Sequence, residues 1–196
     1  MSIKKQKSRT NLPPNQVITE KFPEFTYGEL PKISIDHWTL NICGTINTEI
    51  NLNWNKLLKQ FKHNSIISDF HCVTKWSKLN ILWEGILIKD LIAFVKPKRS
   101  TKYVIFSCFG NYSTNLTLET LITNNAILAH SANKKSLSLE HGWPLRLVVP
   151  NRYGWKSAKW IKQIKFSAID EPGLWEQNGY HNNGNPWHEE RFWPEL

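Results

Sequence analysis

Short apolar runs separated by glycine, proline and asparagine dominate the chain, and few stretches carry apolar residues at helical spacing. Residues 51–61 place three leucines and a phenylalanine roughly at that spacing, which predicts a short helix. The pattern also predicts helices over 88–96, ended by Pro97, and over 117–126, with Thr117 as the N-cap. Runs rich in strand-forming residues predict strands at 37–46, 101–109, 144–150 and 160–169.

The order of these elements predicts the fold class. Short strands alternate with single short helices, which favours a mixed α+β domain over a doubly wound sheet. Residues 1–16 lack periodicity and contain Pro13 and Pro14, so we expect a flexible or surface-wrapped arm there and one domain over 17–196. The tail at 173–193 is rich in aromatic residues, glycine and asparagine, and its aromatics are expected to anchor it on the domain.

Composition is that of an ordinary soluble globular domain. The 196 residues, 40% hydrophobic and 21% charged, suffice for one sizeable core. No run approaches the roughly 20 apolar residues of a membrane span. The basic first residues are not followed by an apolar segment, so we expect a cytoplasmic protein. Three widely separated cysteines without a CxxC pair argue against a disulfide framework and exclude a zinc ribbon or a thioredoxin-type site.

The net charge of +9 and the ten tryptophans leave several partners open. The charge is compatible with nucleic acid, a phosphate-bearing cofactor or a small anionic substrate. A basic, tryptophan-rich chain could also bind RNA or single-stranded DNA by stacking bases on exposed aromatics. Scattered solvated lysines are the alternative without a function, and charge alone does not choose between these interpretations.

The stretch DFHCVTKWS, residues 69–77, surrounds Cys72 with polar side chains. A free cysteine is most often buried filler, but this segment is too polar for a core strand. His71 and Lys75 favour the thiolate, which is the form that acts as a nucleophile or as a metal ligand. The residues by themselves leave buried filler, a nucleophile, half of a disulfide and a metal ligand open.

A second cluster of polar residues lies at 141–166, where glycines and prolines flank a short apolar strand. Arg146 on that strand needs a partner, because an unpaired buried charge is very costly, and its fork suits a phosphate or a carboxylate. The glycine-bearing turn that follows carries Lys156, Ser157 and Lys159, which suit an anion cradle. The alternative is a solvated basic turn with an internal Arg–Glu ion pair.

Four blocks, in order and at compatible spacing, resemble one known family. They are FHCVTKWS, FSCFGNYSTNLTLE, HGWPLRLVVPNRYGWKSAKWIKQIKF and GYHNNGNPWHEERF. From about residue 12 to its end, the chain resembles the oxidoreductase molybdopterin-binding domain of sulfite oxidases and of the bacterial methionine sulfoxide reductase catalytic subunit. The resemblance implies a strand-rich sulfite-oxidase-type fold with short helices and Mo-molybdopterin, the molybdenum cofactor, as the bound group.

The resemblance also implies roles for single residues. Cys72 stands where the family's cysteine ligates molybdenum, and a soft thiolate suits a metal that also carries the pterin's sulfurs. Tyr112, together with Asn111 and His71, is a candidate for hydrogen bonds to the substrate. Residues 19–25 are expected to line the cofactor from the N-terminal side. The residues expected to hold the pterin and its phosphate are Ser107, His141, Arg146, Lys156, Ser157, Ala158 and Lys159.

The implied activity is two-electron chemistry, usually the transfer of one oxygen atom to or from a small substrate. The chain lacks the Cys-x-Gly-Asn-Arg-Arg block of true sulfite oxidases, so sulfite is not implied as the substrate. A sulfoxide or another S- or N-oxide stays open, as does the direction of the reaction, and the surplus of positive charge favours an anionic substrate. We expect an electron-transfer partner of unknown identity, no nucleic acid and no membrane span. The alternatives are a cofactor-free relative and a nucleic-acid-binding module.

Overall fold

The computed structural model describes residues 12–193 and confirms a mixed, strand-rich α+β fold. The strands in this part of the chain are β1 (Val17–Ile18), β2 (Thr39–Gly44), β3 (Ile50–Asn53), β4 (Asn64–His71), β5 (Trp76–Leu87), β6 (Tyr103–Cys108), β7 (Ser113–Thr117), β8 (Ile127–Ala132), β9 (Lys135–Ser136), β10 (Arg146–Val148) and β11 (Ile161–Ser167). The helices are α1 (Trp54–Gln60), α2 (Ile88–Val95), α3 (Leu118–Thr123) and α4 (Leu174–Gln177), with 3₁₀ turns at Phe109–Asn111, Gly154–Lys156 and Pro186–His188.

The strands form two sheets. The first has the order β1-β5-β8-β10, with β4 paired to β5 and β9 paired to β8. The second has the order β3-β2-β11-β6-β7, in which β2 and β11 are parallel and the other pairs are antiparallel. No helix within residues 12–193 is long and apolar enough to cross a membrane.

Two hydrophobic clusters hold the sheets together. The larger contains buried residues from both sheets, including Leu128 of the first and Phe106 of the second, and the smaller is built around Phe70, Trp83 and Val148. Because side chains alternate along a strand, β10 contributes to both clusters. Leu147 packs in the larger one, whereas Val148 packs in the smaller one and Arg146 lies against its aromatic rings. A buried arginine is thereby placed at the edge of an aromatic cluster.

The sequence predicted some elements and missed others. Helices α2 and α3 lie where they were expected, and the Thr117 hydroxyl caps α3 by accepting from the Thr120 N–H. The prediction of a helix over 51–61 was wrong at its start, because Ile50–Asn53 pairs with β2 and the helix begins only after Asn53. Strands β4, β5, β7 and β8 were not predicted.

The arm expected over residues 1–16 falls mostly outside the described residues, so the division at residue 16 stays a prediction. Its last residue, Gln16, is hydrogen bonded to the body of the protein, at the Cys72 carbonyl and at the Ser77 hydroxyl. The aromatic tail packs on the body through contacts such as Trp155 with Tyr180 and His71 with Trp187.

Candidate active site

A cavity of about 240 Å³ opens beside the smaller hydrophobic cluster. Its walls come from the N-terminal segment 22–27, the turn that follows β4, the segment 140–160 that contains β10, and the aromatic residues Tyr112, Trp175 and Tyr180. Seven of the nine site residues expected from the sequence line it: Cys72, Tyr112, His141, Arg146, Ser157, Ala158 and Lys159. Residues that lie up to 87 positions apart in the sequence are thus brought to one cavity.

Cys72 begins the turn that joins β4 to β5. Its N–H donates to the Trp76 carbonyl across 2.9 Å, and the Lys75 N–H donates to the Cys72 carbonyl across 3.1 Å. Lys75 has φ of 71°, in the left-handed region that tight turns use. All three cysteines are free thiols, and Cys72 is half-buried whereas Cys43 and Cys108 are buried. The polar segment seen in the sequence is therefore a turn that presents one sulfur to the cavity.

Side chains from both ends of the described chain hold this turn. Gln16 donates through Nε2 to the Cys72 carbonyl across 3.2 Å, and Arg191 donates through Nη1 to the Val73 carbonyl. The Gln16 Oε1 accepts from the Ser77 hydroxyl across 3.0 Å, and Ser77 lies 2.7 Å from Nδ1 of His71. Because the Ser77 proton is directed at Gln16, His71 must donate through Nδ1.

Arg146 is 3% exposed and has no carboxylate within ion-pair distance among residues 12–193. Three of its N–H groups donate to backbone carbonyls, those of His141 (2.9 Å), Ser157 (3.1 Å) and Leu147 (3.4 Å). Its guanidinium also lies 5.2 Å from the ring centre of Phe70. Burial lowers the pKa of Arg146 to about 9. The internal Arg–Glu pair considered as an alternative is therefore not formed.

Lys159 places a second cation beside Arg146. Its ammonium donates to the carbonyls of Phe25 (2.5 Å) and Glu140 (2.7 Å). Burial, reinforced by the charge of Arg146, lowers the pKa of Lys159 to about 7. Gly142 makes the close approach of these two side chains possible, because a Cβ there would lie 2.9 Å from Arg146 Cβ and 3.1 Å from Lys159 Cγ.

His141 attaches the N-terminal segment to the cavity. Its Nε2 lies 3.1 Å from the Phe22 carbonyl, and its ring stacks on the Phe22 ring with the centres 4.6 Å apart. A carbonyl can only accept, so Nε2 carries the proton and Nδ1 is left to accept from the Ser138 hydroxyl at 3.0 Å. Burial lowers the pKa of His141, partly opposed by the bond to Phe22. The neutral ring therefore fixes Phe22 by a hydrogen bond to its carbonyl and by stacking on its ring.

Ser157 and Ala158 bring mainly their backbone to the cavity wall. The Ser157 hydroxyl accepts from the Val149 N–H across 3.0 Å, and the Ala158 carbonyl accepts from the Leu147 N–H across 2.8 Å. Within residues 12–193, the Ala158 N–H donates to no protein acceptor. This amide is thus a free donor beside Arg146 and Lys159.

Tyr112 lines the cavity, but its hydroxyl already donates to the Trp155 carbonyl across 2.5 Å. Burial, together with the charge of Glu176, raises the pKa of Tyr112 well above its usual value. The phenol is therefore protonated at neutral pH, with its proton directed at Trp155 and the lone pairs of its oxygen left to accept. The two other expected substrate donors, Asn111 and His71, do not line the cavity.

Two residues expected to bind the cofactor do not line the cavity, and their role stays a prediction. Lys156 is 0% exposed and its ammonium pairs with Glu176 at 2.6 Å and donates to both the carbonyl and the side-chain oxygen of Asn115. All three of its N–H groups are thereby used. Ser107 lies within β6, where it pairs with Ser113 on one side and Gln163 on the other, outside the cavity wall.

Sequence reasoning missed several residues at the cavity. Gln16 donates to the Cys72 carbonyl, Thr74 donates to the Cys72 sulfur, and Trp175 and Tyr180 line the cavity. Arg191 stands in the last of the four family-like blocks, so that block did carry a signal for it. Gln16 carried none, because a single glutamine before a two-residue strand forms no motif.

The fold is of the sulfite oxidase type, and the chain is an oxidoreductase domain. The sequence pattern of the oxidoreductase molybdopterin binding domain matches residues 27–175, and the chain belongs to this family. It is similar to YuiH of Bacillus subtilis, an uncharacterized oxidoreductase, with 37% identity over 92% of this chain and 91% of that protein.

The chain is also similar to parts of longer proteins. The chain is 28% identical to the protein-methionine-sulfoxide reductase catalytic subunit MsrP of Campylobacter jejuni, covering 64% of it, and 29% identical to a nitrate reductase [NADPH] of Fusarium oxysporum, covering 20% of it. Among solved structures, the sulfane dehydrogenase SoxCD of Paracoccus pantotrophus has a similar fold, with a TM-score of 0.66 and 19% identity over 76% of this chain and 42% of that one.

Proposed function

We propose that the cavity binds Mo-molybdopterin and that the protein catalyses two-electron chemistry, with transfer of one oxygen atom, on a small substrate. The observation that carries this proposal is that a thiol and a buried guanidinium, those of Cys72 and Arg146, line the same cavity. Arg146 lacks a carboxylate partner among residues 12–193. An unpaired buried charge is costly, so an anion in the cavity would stabilise it.

The other donors fit the same group. A molybdenum held by pterin sulfurs needs one protein thiolate, and residues 12–193 contain no cluster of three His, Cys, Asp or Glu side chains that could hold a metal by themselves. Two of the five N–H groups of Arg146 have no protein acceptor in this part of the chain. The indole N–H of Trp76, which lines the cavity, is likewise buried without a partner among these residues.

The bound group supplies the two-electron redox step and the oxygen transfer, and the protein supplies the environment. Cys72 would bind the metal, and Arg146 and Lys159 would hold the phosphate of the pterin. Phe22 and Phe25, fastened by His141 and Lys159, would cover the group and exclude water. Tyr112 would fix the position of the Trp155 backbone and accept a hydrogen bond from a substrate.

The substrate class and the partners are part of the same proposal. MsrP is by name a sulfoxide reductase, and a sulfoxide or another S- or N-oxide is the substrate class that we propose here. A separate protein would exchange electrons with the metal, and the location would be the cytoplasm. Cell fractionation tests the location, and turnover of sulfoxides and N-oxides with artificial electron donors tests the substrate class.

Metal analysis tests the proposal. Wild type produced in a host that makes molybdopterin should contain molybdenum and pterin in near-stoichiometric amounts. Cys72→Ser should lose the metal or show an altered absorption spectrum, because its hydroxyl is a poor substitute for a soft thiolate. Cys43→Ser is the matched control, since Cys43 lies on β2 away from the cavity. Folded wild type without molybdenum or pterin would contradict the proposal and indicate a cofactor-free relative.

The placement of the tryptophans argues against the nucleic-acid-binding alternative. Base stacking needs exposed aromatic faces, whereas nine of the ten tryptophans are buried or half-buried and Trp193 alone is exposed, at 48%. Trp76, Trp155, Trp160 and Trp175 line the cavity. The aromatic content therefore belongs to the cavity and the core.

A further inference from the structure

We propose that Thr74 is a positioning residue that orients the sulfur of Cys72, an inference that rests on the proposed function of the cavity. Thr74 lies two residues after Cys72 in the turn between β4 and β5, and both residues line the cavity. Its hydroxyl donates to Sγ of Cys72 across 3.1 Å. Among the hydrogen bonds of residues 12–193, this is the one that the Thr74 hydroxyl makes.

The backbone of the turn is fixed independently of Thr74. Cys72 and Trp76 are joined by a backbone hydrogen bond of 2.9 Å, and the carbonyls of Cys72 and Val73 accept from Gln16 and Arg191. What the backbone leaves free is rotation of the Cys72 side chain about its Cα–Cβ bond. The Thr74 hydroxyl lies 3.1 Å from the sulfur and is a suitable donor to select one orientation of it.

A donor at this place also has an electronic effect on a metal bound to the sulfur. A hydrogen bond stabilises negative charge on a thiolate, and a reduced metal leaves more charge on its ligand than an oxidised one. Hydrogen bonds around a ligating cysteine therefore shift the potential of the metal. The Thr74 hydroxyl should favour the reduced state, and its removal should lower the midpoint potential.

Two substitutions separate the hydroxyl from the shape of the side chain. Thr74→Val keeps the branched volume and removes the donor, whereas Thr74→Ser keeps the donor and removes the methyl group. Thr123→Val is the matched control, because the Thr123 hydroxyl donates to the Glu119 carbonyl across 2.9 Å on α3, and neither residue lines the cavity.

Two readouts are needed, one of which does not require the metal. In metal-free protein, three-bond NMR couplings report the rotamer of Cys72. Wild type, Thr74→Ser and Thr123→Val should show one rotamer, and Thr74→Val an average over several. In molybdenum-loaded protein, Thr74→Val should have shifted EPR g-values, a lower midpoint potential and about 10- to 100-fold weaker metal retention. Thr74→Ser should restore all three.

The possible results separate this inference from the proposed function. Thr74→Val with the rotamer, EPR signal and potential of wild type would refute the role of Thr74 while leaving the molybdenum site intact. Thr74→Ser that behaves like Thr74→Val would also refute it, because the methyl group and not the hydroxyl would then matter. Wild type without molybdenum would refute the proposed function, and the rotamer comparison would still decide whether Thr74 orients the sulfur.

Discussion

Lys159 shows how the cavity changes the chemistry of a single side chain. Its ammonium is held by two backbone carbonyls and lies beside the guanidinium of Arg146. Burial and that neighbouring charge lower the pKa of Lys159 from 10.5 to about 7. A metal-free protein at pH 8 therefore holds much of Lys159 in its neutral form, and a bound phosphate would restore the charge.

This lowered pKa predicts how stability depends on pH. Between about pH 7 and pH 10 the unfolded chain binds more protons at Lys159 than the folded one, so this residue makes the free energy of unfolding rise with pH. We expect metal-free wild type to gain stability relative to Lys159→Met between pH 7 and pH 9 in urea unfolding. A difference that stays constant with pH would contradict the prediction.

Lys156 and Glu176 form a buried ion pair, so replacing the Glu176 carboxylate by an amide should cause a large loss of stability. Glu176 is 4% exposed and also accepts from Trp155 across 3.1 Å. Glu176→Gln leaves the Lys156 ammonium buried without its counter-charge, and we expect a loss of about 3–5 kcal/mol in the free energy of unfolding. Glu171→Gln, which breaks a half-exposed pair with Lys165, should cost at most about 1 kcal/mol. Equal losses of unfolding free energy in the two variants would show that burial does not determine the cost of breaking an ion pair.

The long hairpin of β4 and β5 is the element that places Cys72. The sequence did not predict it, because the alternation of a strand is interrupted three times. The register shifts between Ser68 and Phe70, Asn80 has a positive φ of 55°, and a second shift occurs between Glu84 and Gly85. Such bulges break the period of two on which strand prediction depends.

Gly85 allows β5 to approach β8. A Cβ at this position would lie 2.0 Å from the Leu128 carbonyl oxygen and 2.8 Å from the Ala129 Cα, both of which belong to the neighbouring backbone. Gly85→Ala should therefore destabilise the protein by about 1–3 kcal/mol or more in urea unfolding. Ser65→Ala, at an exposed position of β4, should change stability by less than about 0.5 kcal/mol. A tolerated Gly85→Ala would mean that the two strands can separate without cost.

The site, like the strands, could be predicted from the sequence only where a local pattern marks it. Arg146, Ser157, Ala158 and Lys159 lie in one contiguous block with a recognisable pattern, and the structure brings them to one cavity. Lys156 lies in the same block but faces away, because the 3₁₀ turn at Gly154–Lys156 directs its side chain to Glu176. A linear pattern identifies the segment, whereas the direction of each side chain depends on the local backbone.

At the scale of the whole molecule, the two ends of the described chain meet at the Cys72 turn. Asn15 donates to Glu189 across 2.7 Å, β1 pairs in parallel with the start of β5, and Gln16 and Arg191 hold the turn carbonyls. Contacts this distant in sequence are not visible from local patterns. For this reason, the sequence around Cys72 does not predict which residues bind the carbonyls of its turn.

This arrangement predicts that distant substitutions loosen the turn. Gln16→Leu or Arg191→Met removes one hydrogen bond to a turn carbonyl, which is worth about 0.5–1.5 kcal/mol. Hydrogen exchange at the Cys72 and Lys75 amides should then be about 2- to 12-fold faster, if exchange occurs through local opening. Arg99→Met, at an exposed residue that makes none of these contacts, should leave both rates unchanged. Unchanged exchange in all three variants would show that the hairpin alone fixes the turn.

The meeting of the two ends of the described chain beside Cys72 has a practical consequence for electrochemistry. Tension applied at either end of the described residues 12–193 would pass into the segments that hold the sulfur. Attachment through α2 avoids this, because α2 packs on the larger core and contributes nothing to the cavity wall. A cysteine introduced at the exposed Lys89 would give such a handle and leave Cys72 undisturbed.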